Sequence, residues 1–234
     1  MKITAEKIDI NCPESEIYER LLSLDGKHIL ELGCGSAEIT RNIATSGVGR
    51  KITALEVDQI AHEKNLQITD LPNVMFALSG AQDIPLQDES VDVVFMFKSL
   101  HHVPLELMAS SMHEIRRVLK PAGLLYISEP VFSGDFNEIL RLFHDEQKVR
   151  EAAFATLEQS VAEGLFSLVE ETFFNSPMSF ESFAEFEDNT IKATHSYHAL
   201  DDELYQIVKQ RFEQHVGDDG AHFLMPMRVD LLQK

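Results

Sequence analysis

Residues 29–40 read Ile29-Leu30-Glu31-Leu32-Gly33-Cys34-Gly35-Ser36-Ala37-Glu38-Ile39-Thr40. Ile29 to Leu32 is a short apolar run carrying one acid, and it reads as a buried parallel strand. Gly33 and Gly35 break the run, and after Glu38 the period turns helical, with Ile39 and Ile43 four apart. The stretch is therefore a strand, a glycine turn and a helix start. Glycines in such a turn let backbone approach a ligand closely. In open α/β sheets that ligand lies beyond the carboxyl ends of the strands.

The surrounding acids say what kind of ligand. A dinucleotide fingerprint places a third glycine three positions after the second, where this chain has Glu38. Glu31, just before the first glycine, would repel a pyrophosphate and attract a cation. The run Ile52-Thr53-Ala54-Leu55-Glu56 reads as a second strand ending in an acid, the group that suits the two hydroxyls of a ribose. A ribose, a positive charge and no phosphate describe S-adenosylmethionine.

On these residues the chain resembles class I S-adenosylmethionine-dependent methyltransferases of the small-molecule type. The resemblance runs from about residue 26 to 130 through several separate motifs. The glycine loop matches, except that Ala37 stands where a glycine is usual. The resemblance implies a cofactor site of Glu31, Gly33, Cys34 and Gly35 in the loop. It adds Glu56 and Val57 at the second strand end, with Glu56 on the ribose hydroxyls, since a carboxylate accepts two at once. In Ser79-Gly80-Ala81-Gln82 the family commonly has an aspartate at the Gly80 position, so Ala81 and Gln82 are expected to read the adenine. Lys98 and Ser99, in Lys98-Ser99-Leu100-His101-His102, fall where the methionine end of the cofactor meets the substrate. His101, His102 and Glu129 are candidate chemical groups there, with no catalytic residue assigned.

Taken in order, residues 14–24 read as a helix with Ile17, Leu21 and Leu24 on one face; the resemblance makes it a lid, and Tyr18 reads as an ordinary amphipathic residue. Strands are expected at 51–57, 74–78, 91–97 and 124–128, with helices at 59–70 and from Pro104 to about 119. Leu105, Met108, Met112, Ile115 and Leu119 form the apolar stripe of the latter. Residues 135–164 read as one or two helices, 169–174 as a sixth strand, and 202–216 as a helix capped by Asp201. The last strand is expected at 222–232, with Pro226 forcing a bulge or confining pairing to Met227 onward. His195, Tyr197 and His198 cluster before the last helix.

These elements give a fold class of α/β, a Rossmann-like seven-stranded mostly parallel sheet with helices on both faces and extra helices forming a substrate cap. The resemblance implies the strand order 3-2-1-4-5-7-6. One domain spans 1–234: a lid helix in 1–25, a cofactor core in 26–130, and substrate-side helices and last strands in 131–234.

With 20 basic and 39 acidic residues the chain carries a net charge of −19. That argues against nucleic acid and anionic membrane as partners. Two cysteines, one of them Cys34 in the loop, fit a reducing compartment. The first ten residues are too charged for a signal peptide and no apolar run approaches membrane length, so a cytoplasmic protein is expected. Twelve of the fifteen phenylalanines lie from Phe132 onward; they pack extra helices and line an apolar pocket. The expected acceptor is neutral or cationic and partly apolar. Sequence spacing shows no metal constellation, so no magnesium-dependent mechanism is expected. Two other functions stay open: a non-catalytic S-adenosylmethionine-binding module, and an NAD(P)-dependent oxidoreductase. The oligomeric state is not legible.

Overall fold

The computed structural model describes residues 1–192 and 200–234. His195, Tyr197 and His198 lie outside the described residues. Helix α1 (Glu14–Leu21) precedes a run of alternating strands and helices: β1 (His28–Leu32), α2 (Glu38–Thr45), β2 (Lys51–Glu56), α3 (Gln59–Asn65), β3 (Val74–Leu78), β4 (Val91–Phe97), a 3₁₀ turn (Leu100–His102), α4 (Leu105–Val118) and β5 (Leu119–Pro130). The chain continues with α5 (Asp135–Leu140), α6 (Gln147–Ala162), β6 (Ser167–Phe180), α7 (Phe183–Phe186), a π-helical turn (Glu187–Ile191), α8 (Asp202–Glu213), β7 (Val216–Gly217) and β8 (Gly220–Gln233).

The sheet order is β3-β2-β1-β4-β5-β8-β6, with the two-residue β7 paired to β8 alone. Strands β1 to β5 are mutually parallel, and β8 runs antiparallel to both neighbours. This is the expected order 3-2-1-4-5-7-6 once β7 is set aside. Side chains alternate across a strand, and both faces are covered. Ile29 and Phe95 pack with Ile17 and Tyr18 of α1 and Ile43 of α2. Leu30, Val94 and Met96 pack with Met112 and Ile115 of α4 and Leu157 of α6. Tyr18 is core: its ring meets Phe95, Phe97 and Tyr126 at centroid distances of 5.7, 5.9 and 6.5 Å. Arg50 ties down α1 through Glu19 at 2.7 Å and the turn that follows it through Asp25 at 3.1 Å.

Several boundaries differ from the sequence reading. Helix α1 stops at Leu21 because Leu22 turns extended (φ −129°, ψ 137°), and Leu24 is buried from the turn that follows. Helix α3 ends at Asn65, five residues early. Leu105 is 58% exposed and leaves the α4 stripe, whereas Leu119 opens β5. Pro226 makes no bulge, and β8 pairs with β6 straight through it. Its carbonyl accepts Val131 N–H at 2.8 Å, so its nitrogen faces the same side, beyond the last β5 pair at Pro130 and Met227. No donor is missed there.

A third core lies at the β6–β8 end of the sheet. Phe136, Phe180, Phe186, Phe212 and Phe223 pack among α5, β6, α7, α8 and β8. These five pack against one another, and Phe136 and Phe223 also line cavities beside α5 and β8. Among the described residues no helix is long and apolar enough to cross a membrane.

Candidate cofactor-binding and active site

The carboxyl ends of β1 to β4 and the loops after them carry every cofactor residue expected from sequence, Glu31 and Glu56 standing on the strands themselves, and four adjacent parallel strands bring them to one edge. Gly33 N–H and Cys34 N–H both donate to Leu55 O, at 2.9 and 3.0 Å. This pulls the glycine loop onto the end of β2. Gly33 has φ +74°, and a Cβ there would sit 2.8 Å from Ser99 Cβ. Ser99 in turn donates its hydroxyl to Leu32 O at 2.9 Å. Glycine at 33 is therefore required twice, by conformation and by space. Gly35 also has positive φ, but a Cβ there would meet nothing within 4 Å, so its backbone borders open space.

Glu56 reaches back into this loop. One oxygen accepts Gly35 N–H at 2.6 Å, and the other accepts Val57 and Asp58 N–H at 2.8 and 2.9 Å. Three backbone donors thus fix the carboxylate at the strand end, and it has about four acceptor sites in all. Val57 beside it is exposed. Asn65 of α3, which the sequence reading passed over, buttresses the loop by donating to Gly35 O at 2.8 Å. Ala37 stands at φ 62°, ψ 24°, the left-handed region where a glycine would be at ease. The departure from the family pattern is thus a strained residue, not a changed loop.

Glu31 is buried and accepts the Thr40 hydroxyl at 2.6 Å. Burial pushes its carboxyl up to about 7, with Thr40 working against the rise. Burial also drives the Cys34 thiol well above its usual range, so this cysteine is a neutral, small side chain. Ala81 is buried and Gln82 exposed. A Cβ on Gly80 would run into the Gln82 amide, so an aspartate there and this Gln82 placement exclude each other. Lys98 has φ +51° and donates its N–H to Ser128 O at 2.7 Å. Burial raises the Glu14 carboxyl, and the Lys98 charge opposes that rise.

A second cluster lies past β4. Glu129 at the end of β5 is buried; one oxygen accepts Leu100 N–H at 2.9 Å and His101 N–H at 3.4 Å, and the other bonds His101 Nδ1. Both of its oxygens are engaged. His101 Nε2 faces Glu146 Oε1 at 3.6 Å. Glu146, just ahead of α6, bonds His144 Nε2 at 2.8 Å and Arg150 Nη2 at 2.6 Å. Burial works against charging His101, but Glu129 and then Glu146 outweigh it and raise the imidazole to about 9. Burial likewise raises Glu146, yet His101 and Arg150 together hold it far below the usual carboxylate range. His102 is exposed, its ring 4.1 Å from that of His101. Sequence reading named His101, His102 and Glu129 and missed Glu146 and Arg150. Their spacing of four, one turn of helix, is the signal that was available.

Residues 30–127 match the family described as "Methyltransferase domain". The O-methyltransferase rstn1 of Aspergillus nomiae is 33% identical over 138 residues, covering 56% of this chain and 59% of that protein. The sterol 4-C-methyltransferase strm-1 of Caenorhabditis elegans is 30% identical over 128 residues, covering 52% of this chain and 36% of that one. The chain therefore spans less than two thirds of either relative. In fold it is similar to the YcgJ protein of Bacillus subtilis, with a TM-score of 0.64 at 15% identity over 92% of this chain and 95% of that one. A carboxylate pair around a glycine loop suits a cationic, ribose-bearing ligand and not a pyrophosphate. Residues 30–127 thus carry a methyltransferase domain, and the chain is similar to S-adenosylmethionine-dependent methyltransferases in sequence and fold.

Proposed function

We propose that this chain transfers the methyl group of S-adenosylmethionine to a small-molecule acceptor. The acceptor lies where the ends of β1, β4 and β5 face the helices α5 to α8. In this reading residues 26–130 are the cofactor half, 131–234 the substrate side, and α1 the cover over the first. The supporting observation is Glu56, held by Gly35, Val57 and Asp58 N–H at the mouth of the glycine loop.

The cofactor supplies an activated methyl on a sulfonium, which is a good leaving group. The chain's part is alignment. Glu56 takes the ribose hydroxyls, Glu31 and the loop backbone face the cationic end, and Ala81 and Gln82 border the adenine. Lys98 and Ser99 stand at the methionine end. Holding acceptor and methyl in line is worth about 7–11 kcal/mol of barrier in favourable cases. His101, locked by Glu129, fixes the turn beside the acceptor, and Glu129 acts as a positioning residue. The acidic chain favours a neutral or cationic acceptor.

The test is transfer of labelled methyl into a panel of neutral, cationic and anionic small acceptors. Incorporation into neutral or cationic, partly apolar members supports the reading. Cofactor binding without transfer to any member returns the chain to a binding module, and transfer to polyanions alone overturns the acceptor class.

A further inference from the structure

The 3₁₀ turn and the start of α6 bring Glu146 to two adjacent histidines, His101 and His102, that precede it by 45 and 44 residues. One ligand-type atom each from His101, His102 and Glu146 lies within 4.8 Å of the others. His101 Nε2 and Glu146 Oε1 are 3.6 Å apart, too far for a hydrogen bond. The spacing is close to that of two ligands on one tetrahedral ion, roughly 3.3–3.4 Å for bonds of about 2.0–2.1 Å.

The far ends of two of these groups are already held. His101 Nδ1 bonds Glu129, which points Nε2 toward Glu146 and His102. Glu146 Oε2 accepts from Arg150 at 2.6 Å, and Arg150 donates to Asn137 at 3.1 Å. Metal-binding imidazoles and carboxylates are oriented in this way by a carboxylate or donor behind them. His144 Nε2, 2.8 Å from Glu146 Oε1, stands beside the set as a further nitrogen. His101 and Glu146 are buried while His102 is exposed, so one side of the group opens to solvent. Two imidazoles and one carboxylate with an open side are the donor set that zinc and its first-row neighbours take.

We propose that His101, His102 and Glu146 form a binding site for one divalent first-row transition ion at the substrate side of the crevice. Binding itself does not rest on the methyl-transfer reading. An acceptor hydroxyl on the open position would give up its proton more readily, and that consequence does rest on it.

The test strips the full chain of metal, titrates it with Zn²⁺ by calorimetry, and repeats with Co²⁺ by visible absorption. One ion per chain, with the intense cobalt bands of a four- or five-coordinate site, is the expected result. His102→Ala, a change at an exposed position, should weaken binding about tenfold or more with the melting temperature of the metal-free chain little changed. Glu146→Gln should weaken it further. The S-adenosylmethionine-induced thermal shift should persist in His102→Ala, which separates this site from the cofactor site. No saturable binding, or binding undiminished in both variants, would overturn the proposal and leave the cluster a proton-held ionic network.

Discussion

The two halves of the crevice are built from different materials. Around Gly35 and Glu56 the contacts are backbone amides on one carboxylate. Around His101 they are mainly side chains on side chains, with Glu129, Glu146 and Arg150 in one buried ionic network and half-buried His144 at its rim. A backbone-built site depends on strand geometry and tolerates many neighbours. A charge-built site depends on every partner being present, because each buried charge left alone is costly.

The largest effect should come from breaking the second half. Glu129→Ala leaves His101 without its main partner and Leu100 N–H without an acceptor. A loss of about 3–5 kcal/mol in urea unfolding is expected; a loss under about 1 kcal/mol would show the network to be slack. Glu56→Ala strips three backbone donors of their acceptor and should cost about 1–3 kcal/mol. It should also remove most of the S-adenosylmethionine affinity, read by calorimetry. Unchanged affinity would sink the ribose assignment.

The halves should also separate along the pH axis. Glu31 is raised from 4.5 to about 7, and His101 from 6.5 to about 9. Both keep protons in the folded chain that the unfolded chain has released, so stability falls as pH rises. The fall from Glu31 covers about pH 4.5–7 and that from His101 about pH 6.5–9, each at most about 3 kcal/mol. Glu31→Gln should flatten the lower window and leave the upper one. A flat profile over both windows would contradict the assigned environments. The smallest effect is a gain: Ala37→Gly relieves a left-handed alanine and should stabilise by about 0.5–1 kcal/mol. A loss would mean the Ala37 methyl contributes more packing than its backbone costs.

The same contrast explains what the sequence made legible. Strands 74–78 and 91–97 match the sequence expectation to the residue, because apolar runs, broken only by Asp92, sit between polar turns and leave little choice of bounds. Glu56 was legible because a strand-end acid lies one βαβ step from its loop. Glu146 carried only its helical spacing to Arg150, and its meeting with His101 is set by how α6 packs against the 3₁₀ turn. The α1 end was misread because Leu24 keeps helical spacing while its burial comes from a turn. Pro226 looked disruptive only because sequence does not show that its nitrogen faces the side where β5 has ended. The phenylalanines could not be divided until α8 and β8 were seen to enclose five of them.

In the proposed function the glycine loop and Glu56 hold S-adenosylmethionine. The direct measurement is thermal unfolding with S-adenosylmethionine, S-adenosylhomocysteine, NAD and NADP in turn. A ligand at a hundred times its dissociation constant stabilises by about 2.7 kcal/mol, roughly 5–10 °C for a chain of this length. A shift of that size with the two sulfur compounds and none with the nicotinamides is the predicted result. A shift with a nicotinamide alone would contradict it.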